Sequence, residues 1–165
     1  MKPQHLVILV VLLSVTTTSR LLTDIGRPAT RWDEQTNIAV VRETLDKRSF
    51  PVLSYNSAPF FEKPPLWYYL NAGIGRMLGV TPIPMRMVSV IAGAIIIALS
   101  VLWVWNRYGS IAGLLTWVIL LLSRQLFIKD IGKVFSSHNL NSADPDALQI
   151  VLMLLAFSIF TRPVR

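Results

Sequence analysis

Cysteine is absent from this 165-residue chain, and several classes of site are excluded with it. A disulfide framework, a thiol nucleophile and a cysteine metal site are all impossible. Histidine is also scarce, with 2 residues. His138 stands in a polar stretch without a second ligand at metal-binding spacing, so a histidine metal site is not expected. Candidate chemistry therefore lies with carboxylates, lysine and arginine.

Charge is sparse as well, at 15% of residues against 53% hydrophobic residues. Apolar runs recur from one end of the chain to the other, which indicates a polytopic membrane protein. The formal charge is +7, yet the segment 23–65 holds six acidic and six basic residues. The excess cations mostly flank apolar runs, where anionic headgroups would lie, and form no stripe. We therefore expect membrane lipid, and no nucleic acid, among the partners.

The apolar runs predict helices, and no strand alternation or internal repeat competes with them. The expected fold class is all-α: polytopic membrane helices with an amphipathic interfacial helix in the first extracytoplasmic loop. The predicted runs are 5–22, 66–80, 84–105, 111–128 and 147–161. Residues 5–22 follow Lys2 and predict an uncleaved signal anchor with a cytoplasmic N-terminus. A cleaved signal peptide is the alternative.

The run 66–80 is too short to be a convincing membrane crossing. A span needs about 20 apolar residues, and Asn71 and Arg76 interrupt this one. Asp33 and Asp146 can share a site only if an even number of crossings separates them, so we predict that 66–80 is a partial or interfacial helix. The loop 23–65 is then extracytoplasmic, and its short length favours a bacterial plasma membrane.

A further helix is predicted inside the loop 23–65. Thr30 and the pair Asp33–Glu34 have the character of a capped, anionic first turn. Three apolar residues repeat at helical spacing: Ile38, Val41 and Leu45. This helix is expected to lie on the membrane and to end near Lys47–Arg48. Three prolines are expected to keep the return path extended: Pro59, Pro64 and Pro65.

Three carboxylates and two cations are the candidate site residues. Asp33 and Glu34 lie where a membrane helix passes into an interfacial one, and a carboxylate there could act as a general base or hold a divalent cation beside a phosphate. Lys63, stiffened by two following prolines, could neutralise a lipid-linked phosphate. Asp146 opens the last apolar run, and Arg86 could bind phosphate. The alternatives are carboxylates that only complement helix dipoles and cations that only snorkel to headgroups.

The order of these elements resembles a known family. A signal anchor, the acidic pair and an amphipathic helix are followed by Phe61-Glu62-Lys63-Pro64-Pro65-Leu66-Trp67-Tyr68-Tyr69-Leu70. Met77-Leu78-Gly79 and Arg86-Met87-Val88-Ser89 come next. From residue 6 to about residue 160, this arrangement is similar to the N-terminal part of the GT-C glycosyltransferases, in the group that contains the protein O-mannosyltransferases and the lipid A aminoarabinose transferase.

The resemblance implies a reaction and a set of roles. The reaction is inverting transfer of a sugar from a polyprenyl-phosphate carrier to a lipid or protein acceptor, with the carrier phosphate as leaving group. Asp33 would be the active-site carboxylate with Glu34 beside it, and Lys63 would contact the carrier phosphate. Asp146 would be the second acidic residue, with Asp144 as the runner-up. No nucleotide cofactor is expected, and a divalent cation is left open.

Two features set this chain apart from that family. Gln35-Thr36-Asn37 follow the acidic pair, where such enzymes often carry a small residue, a basic residue and a tyrosine. Family members also have many more transmembrane helices, so we expect an N-terminal portion that is not a complete catalyst by itself. A second membrane subunit that completes the bundle is therefore an expected partner.

The other hypothesis is a non-catalytic membrane protein that serves as a partner or assembly subunit. A small transporter is disfavoured because no apolar run holds a convincing charge pair.

Overall fold

The computed structural model describes residues 3–23, 25–29, 32–123, 126 and 140–160, with the backbone alone for residues 3–7. This part of the chain is mostly helical, as expected. Its six helices are α1 (Pro3–Leu22), α2 (Trp32–Asp46), α3 (Leu66–Leu78), α4 (Pro82–Tyr108), α5 (Ser110–Leu122) and α6 (Asp146–Phe160). The five apolar runs correspond to α1, α3, α4, α5 and α6, and the loop helix to α2. Lys2, Thr30 and His138 lie outside the described residues.

Helix α4 is long and apolar enough to cross a membrane. Its 27 residues extend about 40 Å, against a hydrocarbon core of about 30 Å. Less than half of its most apolar stretch is buried against the rest of the chain, so α4 is not enclosed on all sides. Within the described residues the other apolar helical stretches are shorter: Ile8–Leu22, Ser110–Leu122 and Asp146–Phe160. Helix α3 has 13 residues, Asn71 and Arg76 among them, and is not one of these apolar stretches.

The chain between α1 and α4 folds onto the first turns of α4, and we call α2, α3, the segment between them and residues 82–90 the head. The predicted apolar face of α2 packs inside the head rather than on a membrane surface, since Ile38 and Val41 are buried and Leu45 packs against the same core. That core also contains Leu53, Phe60, Trp67, Tyr68, Ala72, Met85, Val88 and Ala143. Helix α3 covers the face that sequence periodicity assigned to lipid.

A short hairpin in the head was not predicted from the sequence. Strand β1 (Ser54–Tyr55) pairs antiparallel with β2 (Ala58–Pro59), so Pro59 ends a strand rather than merely extending the chain. The turn residues Asn56 and Ser57 have φ of 50° and 66°, in the left-handed region that Asn tolerates. The strands are two residues long, too short to give an alternation signal.

Glu43 of α2 joins this hairpin to α2 through hydrogen bonds. Its Oε1 accepts hydrogen bonds from Ser54 Oγ at 2.7 Å and from the Ser57 amide at 2.8 Å. Lys47 Nζ lies 2.8 Å from the same oxygen. The hydrogen bond from Lys47 lowers the pKa of Glu43 most, and those from Ser54 and Ser57 help to bring it to about 2. The carboxylate is therefore held in its ionised form by the groups that it organises.

Beyond the head, α4 packs against α1, α5 and α6. The shared core consists of Leu21, Ala92, Ile96, Ile97, Val101, Leu140, Ala147 and Val151. Gly93 permits close approach, since a Cβ there would lie 2.9 Å from Leu140 Cβ and 3.0 Å from Leu21 Cδ2. The outer faces of these helices expose large apolar side chains, among them Val11, Val15, Ile91, Leu102, Ile111, Ile119, Met153 and Ile159. Such extensive exposed apolar surface fits contact with lipid.

Candidate functional site

Lys63 and Asp33 are 30 residues apart in the chain and meet at the edge of the head. Lys63 Nζ lies 3.3 Å from Asp33 Oδ1, and the two side chains are 26% and 28% exposed. Asp33 occupies the first turn of α2, where the helix dipole favours a carboxylate. Lys63 immediately precedes Pro64 and Pro65, which lead into α3. The two charges predicted to act together are therefore together, and part of each remains open.

Asn37 connects this pair to the protein interior. Its Oδ1 accepts hydrogen bonds from Lys63 Nζ at 3.3 Å and from the Tyr68 hydroxyl at 2.6 Å. Its Nδ2 donates to Asp144 Oδ1 at 2.8 Å and to the Ala143 carbonyl at 3.0 Å. Asn37, Tyr68 and Asp144 are all buried. The partly exposed Asp33–Lys63 pair thus lies at the solvent-accessible end of a buried hydrogen-bond network.

Tyr68 is a hydrogen-bond donor in this network at any physiological pH. Burial raises the pKa of the Tyr68 hydroxyl, and the nearby carboxylates raise it further, Asp144 most and then Asp33, Glu62 and Asp146. A phenol in such surroundings keeps its proton, because ionisation would add one more buried negative charge. Its proton is directed to Asn37.

Glu34 and Arg86, predicted as a catalytic residue and a phosphate ligand, form a buried pair instead. Arg86 Nε lies 2.7 Å from Glu34 Oε1 and Nη2 lies 2.9 Å from Oε2. Arg86 Nη1 donates to the carbonyls of Ile25 and Arg27, both at 2.6 Å. Since Arg86 is 0% and Glu34 is 1% exposed, neither side chain faces an open site. The geometry gives them an architectural role.

The electrostatics of Glu34 agree with that role. Burial acts to raise the pKa of Glu34, but the hydrogen bonds from Arg86 and the Ala143 amide and the charges of Arg86 and Arg27 outweigh it and lower the pKa below its ordinary value. Glu34 therefore stays ionised inside the head. A general base must reach substrate, whereas both oxygens of this carboxylate are bound by Arg86.

Asp144 was the runner-up for the second carboxylate, and it is the residue that accepts a hydrogen bond from Asn37. Its Oδ2 also accepts from Ser142 Oγ at 2.9 Å. Asp146, the preferred candidate, is the first residue of α6, where a carboxylate complements the helix dipole. It is close enough to act on the Tyr68 pKa. Asp144, rather than Asp146, is thus the carboxylate that accepts a hydrogen bond from Asn37.

The segment 141–144 is held by residues from several parts of the chain. The Ala143 amide donates to Glu34 Oε1 at 3.0 Å, and Asn141 Nδ2 donates to the Thr23 carbonyl at 3.0 Å. Ser89 Oγ donates to the Asp144 carbonyl at 2.8 Å and accepts from Trp67 Nε1 at 3.3 Å. These bonds set the position of Asp144 relative to the Asp33–Lys63 pair.

Sequence analysis missed three members of this network: Asn37, Tyr68 and Ser89. A signal did exist for the first. Glu34, Asn37, Val41 and Thr44 follow one another at spacings of three and four, so Asn37 lies inside the buried stripe of α2. A polar side chain in a buried stripe needs a partner. Identifying that partner, 107 residues away, requires the fold.

Two apolar grooves lie in the described part of the chain. A groove of about 80 Å³ begins at Pro64, the residue that follows Lys63 in the chain. Its lining residues are Pro64, Leu66, Trp67, Pro145, Leu148, Gln149 and Leu152. A larger groove, of about 350 Å³, runs between α1 and α4 and is lined by residues such as Leu13, Thr17, Ala98 and Trp117. In the described part of the chain, no three acidic or histidine side chains come together as a group that could hold a metal ion.

Comparison of the chain with protein-family models, with curated proteins and with solved structures gave no match in any of the three. Function is therefore inferred from the geometry of the site.

Proposed function

We propose that this chain is part of a membrane glycosyltransferase that transfers a sugar from a polyprenyl-phosphate carrier to a lipid or protein acceptor. The observation that carries the proposal is the Asp33–Lys63 pair, a carboxylate and an ammonium 3.3 Å apart and partly open. Pro64, which follows Lys63, lines an apolar groove, and the helices beyond the head have exposed apolar faces. Such a site suits a substrate that has a phosphate at one end and a hydrocarbon chain at the other.

The two groups have complementary roles in the proposed reaction. The acceptor oxygen or nitrogen attacks the anomeric carbon as its bond to the carrier phosphate breaks, and the phosphate leaves with the bonding electrons. Lys63 neutralises the charge that develops on the phosphate. Asp33 accepts the proton that the acceptor loses. In the free protein each group neutralises the other, and the phosphate takes the place of Asp33 beside Lys63.

The proposed setting is a multi-pass protein of a bacterial plasma membrane. α1, α4, α5 and α6 would cross the bilayer, and the loop 23–65 would face the extracytoplasmic side. Support comes from α4, which is long enough to span, and from the exposed apolar side chains on all four helices. The groove formed by Leu66, Trp67, Leu148 and Leu152 would take the first isoprene units of the carrier.

The test uses the full chain in lipid nanodiscs and a polyprenyl-phosphate-linked sugar. Donor binding should weaken at least about tenfold in Lys63→Met, because a charge-assisted contact to phosphate is lost. Asp33→Asn should keep donor binding and, in an assembled enzyme that contains this chain, abolish transfer. Matched controls are Lys47→Met and Asp46→Asn, which change an exposed cation and an exposed carboxylate near the other end of α2. Failure of the wild-type chain to bind the donor, or transfer by Asp33→Asn, would overturn the proposal.

A non-catalytic assembly subunit is the second candidate function. It is favoured by the fact that Glu34 and Arg86, two of the five predicted site residues, are fully committed to one another and to backbone groups. In this case Asp33→Asn and Lys63→Met would not change function, and the chain would co-purify with a membrane protein that completes the bundle. The donor-binding measurement separates the two candidates.

A further inference from the structure

We propose that Asn37 is the positioning residue of this site: its amide fixes the Lys63 ammonium and links it to the segment 141–144. Asn37 stands one helical turn after Asp33 in α2, so the two side chains share a face. Lys63 Nζ lies 3.3 Å from Asp33 Oδ1 and 3.3 Å from Asn37 Oδ1. The ammonium is therefore bracketed by one charged and one neutral acceptor.

All the hydrogen-bonding capacity of the Asn37 amide is in use. A side-chain amide offers two acceptor positions on oxygen and two donor hydrogens on nitrogen. Here the oxygen accepts from Lys63 and Tyr68, and the nitrogen donates to Asp144 and the Ala143 carbonyl. The partners also settle the orientation of the amide, because a carboxylate and a carbonyl must face the nitrogen while an ammonium and a phenol must face the oxygen.

No other side chain of this size satisfies these four partners. Leucine would remove the acceptor of the buried Tyr68 hydroxyl and one of the hydrogen bonds to the Asp144 carboxylate, at the cost of burying an unsatisfied hydroxyl. Aspartate would place two carboxylates against each other and add a second negative charge beside Lys63. The site already has Asp33, Glu62, Asp144 and Asp146 near Tyr68. A neutral acceptor at position 37 is what leaves Lys63 free to exchange Asp33 for another anion.

The positioning role concerns only where the Lys63 ammonium lies, and it requires no assumption about glycosyl transfer. The value of that position for catalysis rests on the proposed function. The test therefore reads the lysine directly. The full chain in nanodiscs is treated with an amine-acylating reagent at fixed pH, and peptide mass mapping reports each lysine separately. Lys47, which is paired with Glu43 on the exposed side of α2, is the internal reference.

Two substitutions at position 37 should move the labelling of Lys63 in opposite directions. Asn37→Leu removes an acceptor and should raise labelling, relative to Lys47, by roughly fivefold. Asn37→Asp adds a carboxylate that favours the unreactive ammonium and should lower it by a similar factor. Gln35→Leu, which removes an exposed amide bonded to the Ala29 carbonyl, should leave it unchanged. General loosening of the head would raise labelling in both variants, so an increase in both, or no change in either, overturns the proposal.

An exchange of the two side chains supplies a second measurement that is independent of the single variants. Asn37→Asp combined with Asp144→Asn restores one donor and one acceptor between these positions, so the double variant should regain most of the melting temperature that Asn37→Asp loses. Labelling of Lys63 should stay below the wild-type level. A double variant no more stable than Asn37→Asp would contradict the link to Asp144. If these results hold while the wild-type chain fails to bind the donor, the proposed function fails and the positioning role stands.

Discussion

Arg86 holds both carboxylate oxygens of Glu34 inside the head, with Nε 2.7 Å from Oε1 and Nη2 2.9 Å from Oε2. The pair joins α2 to α4 across 52 residues of sequence. The remaining terminal nitrogen binds the carbonyls of Ile25 and Arg27, so one guanidinium also orders the chain that leads from α1 into α2. This contact holds α2 against the first turns of α4.

Loss of either partner should destabilise the head strongly. Arg86→Met leaves Glu34 as a buried charge without its counter-ion and should cost about 3–5 kcal/mol of unfolding free energy. The measurement is thermal or denaturant unfolding of the chain in detergent micelles. Arg76→Met removes an exposed arginine that lies over the Phe50 ring at 5.9 Å and should cost no more than about 1 kcal/mol. The double variant Glu34→Leu/Arg86→Met should lose less than Arg86→Met alone, because no charge is left buried; equal stability of Arg86→Met and Arg76→Met would contradict the assignment.

Two helical glycines should respond oppositely to alanine. Gly93→Ala places a Cβ 2.9 Å from Leu140 Cβ and 3.3 Å from the Leu140 carbonyl oxygen, so α4 and the segment before α6 must separate, at a cost of about 1–3 kcal/mol. Gly73→Ala meets nothing within 4 Å and should stabilise α3 by roughly 0.5–1 kcal/mol through helix propensity. Unfolding curves of the two variants give both signs, and a neutral Gly93→Ala would show that this interface is looser than described.

The hairpin should weaken in acid through Glu43. A carboxyl group whose pKa is lowered by folding stabilises the folded state above its unfolded-state pKa, and that contribution is lost as the pH falls to the folded value, here about 2. Protection of the Ser57 amide, which donates to Glu43, should therefore fall between the ordinary glutamate range and pH 2 in hydrogen-exchange measurements. In Glu43→Gln the protection should be low at neutral pH already and nearly independent of pH. Asp46→Asn, on the same helix, should behave like the wild type; a pH dependence retained in Glu43→Gln would assign the effect to another group.

Crossing of the membrane by α4 can be tested with introduced thiols, since the chain has no cysteine of its own. Ile83→Cys and Tyr108→Cys lie near the two ends of α4 at exposed positions, and Ile95→Cys lies midway. In sealed vesicles an impermeant maleimide should label position 83 from one side and position 108 from the other. Position 95 should stay unlabelled, because hydrocarbon suppresses the reactive thiolate. Labelling of 83 and 108 from the same side would show that α4 does not span.

The sequence was sufficient for the helices and for one pair of candidate site residues that the structure brings together. Apolar runs identify α4 and α6 because burial and lipid contact both select apolar side chains, and helical spacing identifies α2. Asp33 and Lys63 were predicted together because the resemblance linked them. The hairpin at Ser54–Pro59 escaped prediction because two-residue strands have no periodicity to detect.

The remaining contacts of the site depend on long-range packing that single-sequence patterns do not report. Glu34 and Asp33 are adjacent and chemically alike, and only the position of Arg86 distinguishes the buried carboxylate from the open one. The apolar face of α2 gave no indication of whether α3 or lipid would cover it. Asn37 meets Asp144 because the chain preceding α6 is anchored on the head, a contact over 107 residues.

Two consecutive residues of α2 thus serve different sides of one helix. Successive side chains on an α-helix point about 100° apart, so Asp33 reaches Lys63 while Glu34 reaches Arg86. Which carboxylate meets which cation is consequently set by the angular position of each residue around the helix axis. Removal or insertion of a single residue within α2 would turn its first turn relative to the rest and send the wrong carboxylate to each cation, so length variation among natural variants should be confined to segments outside this helix.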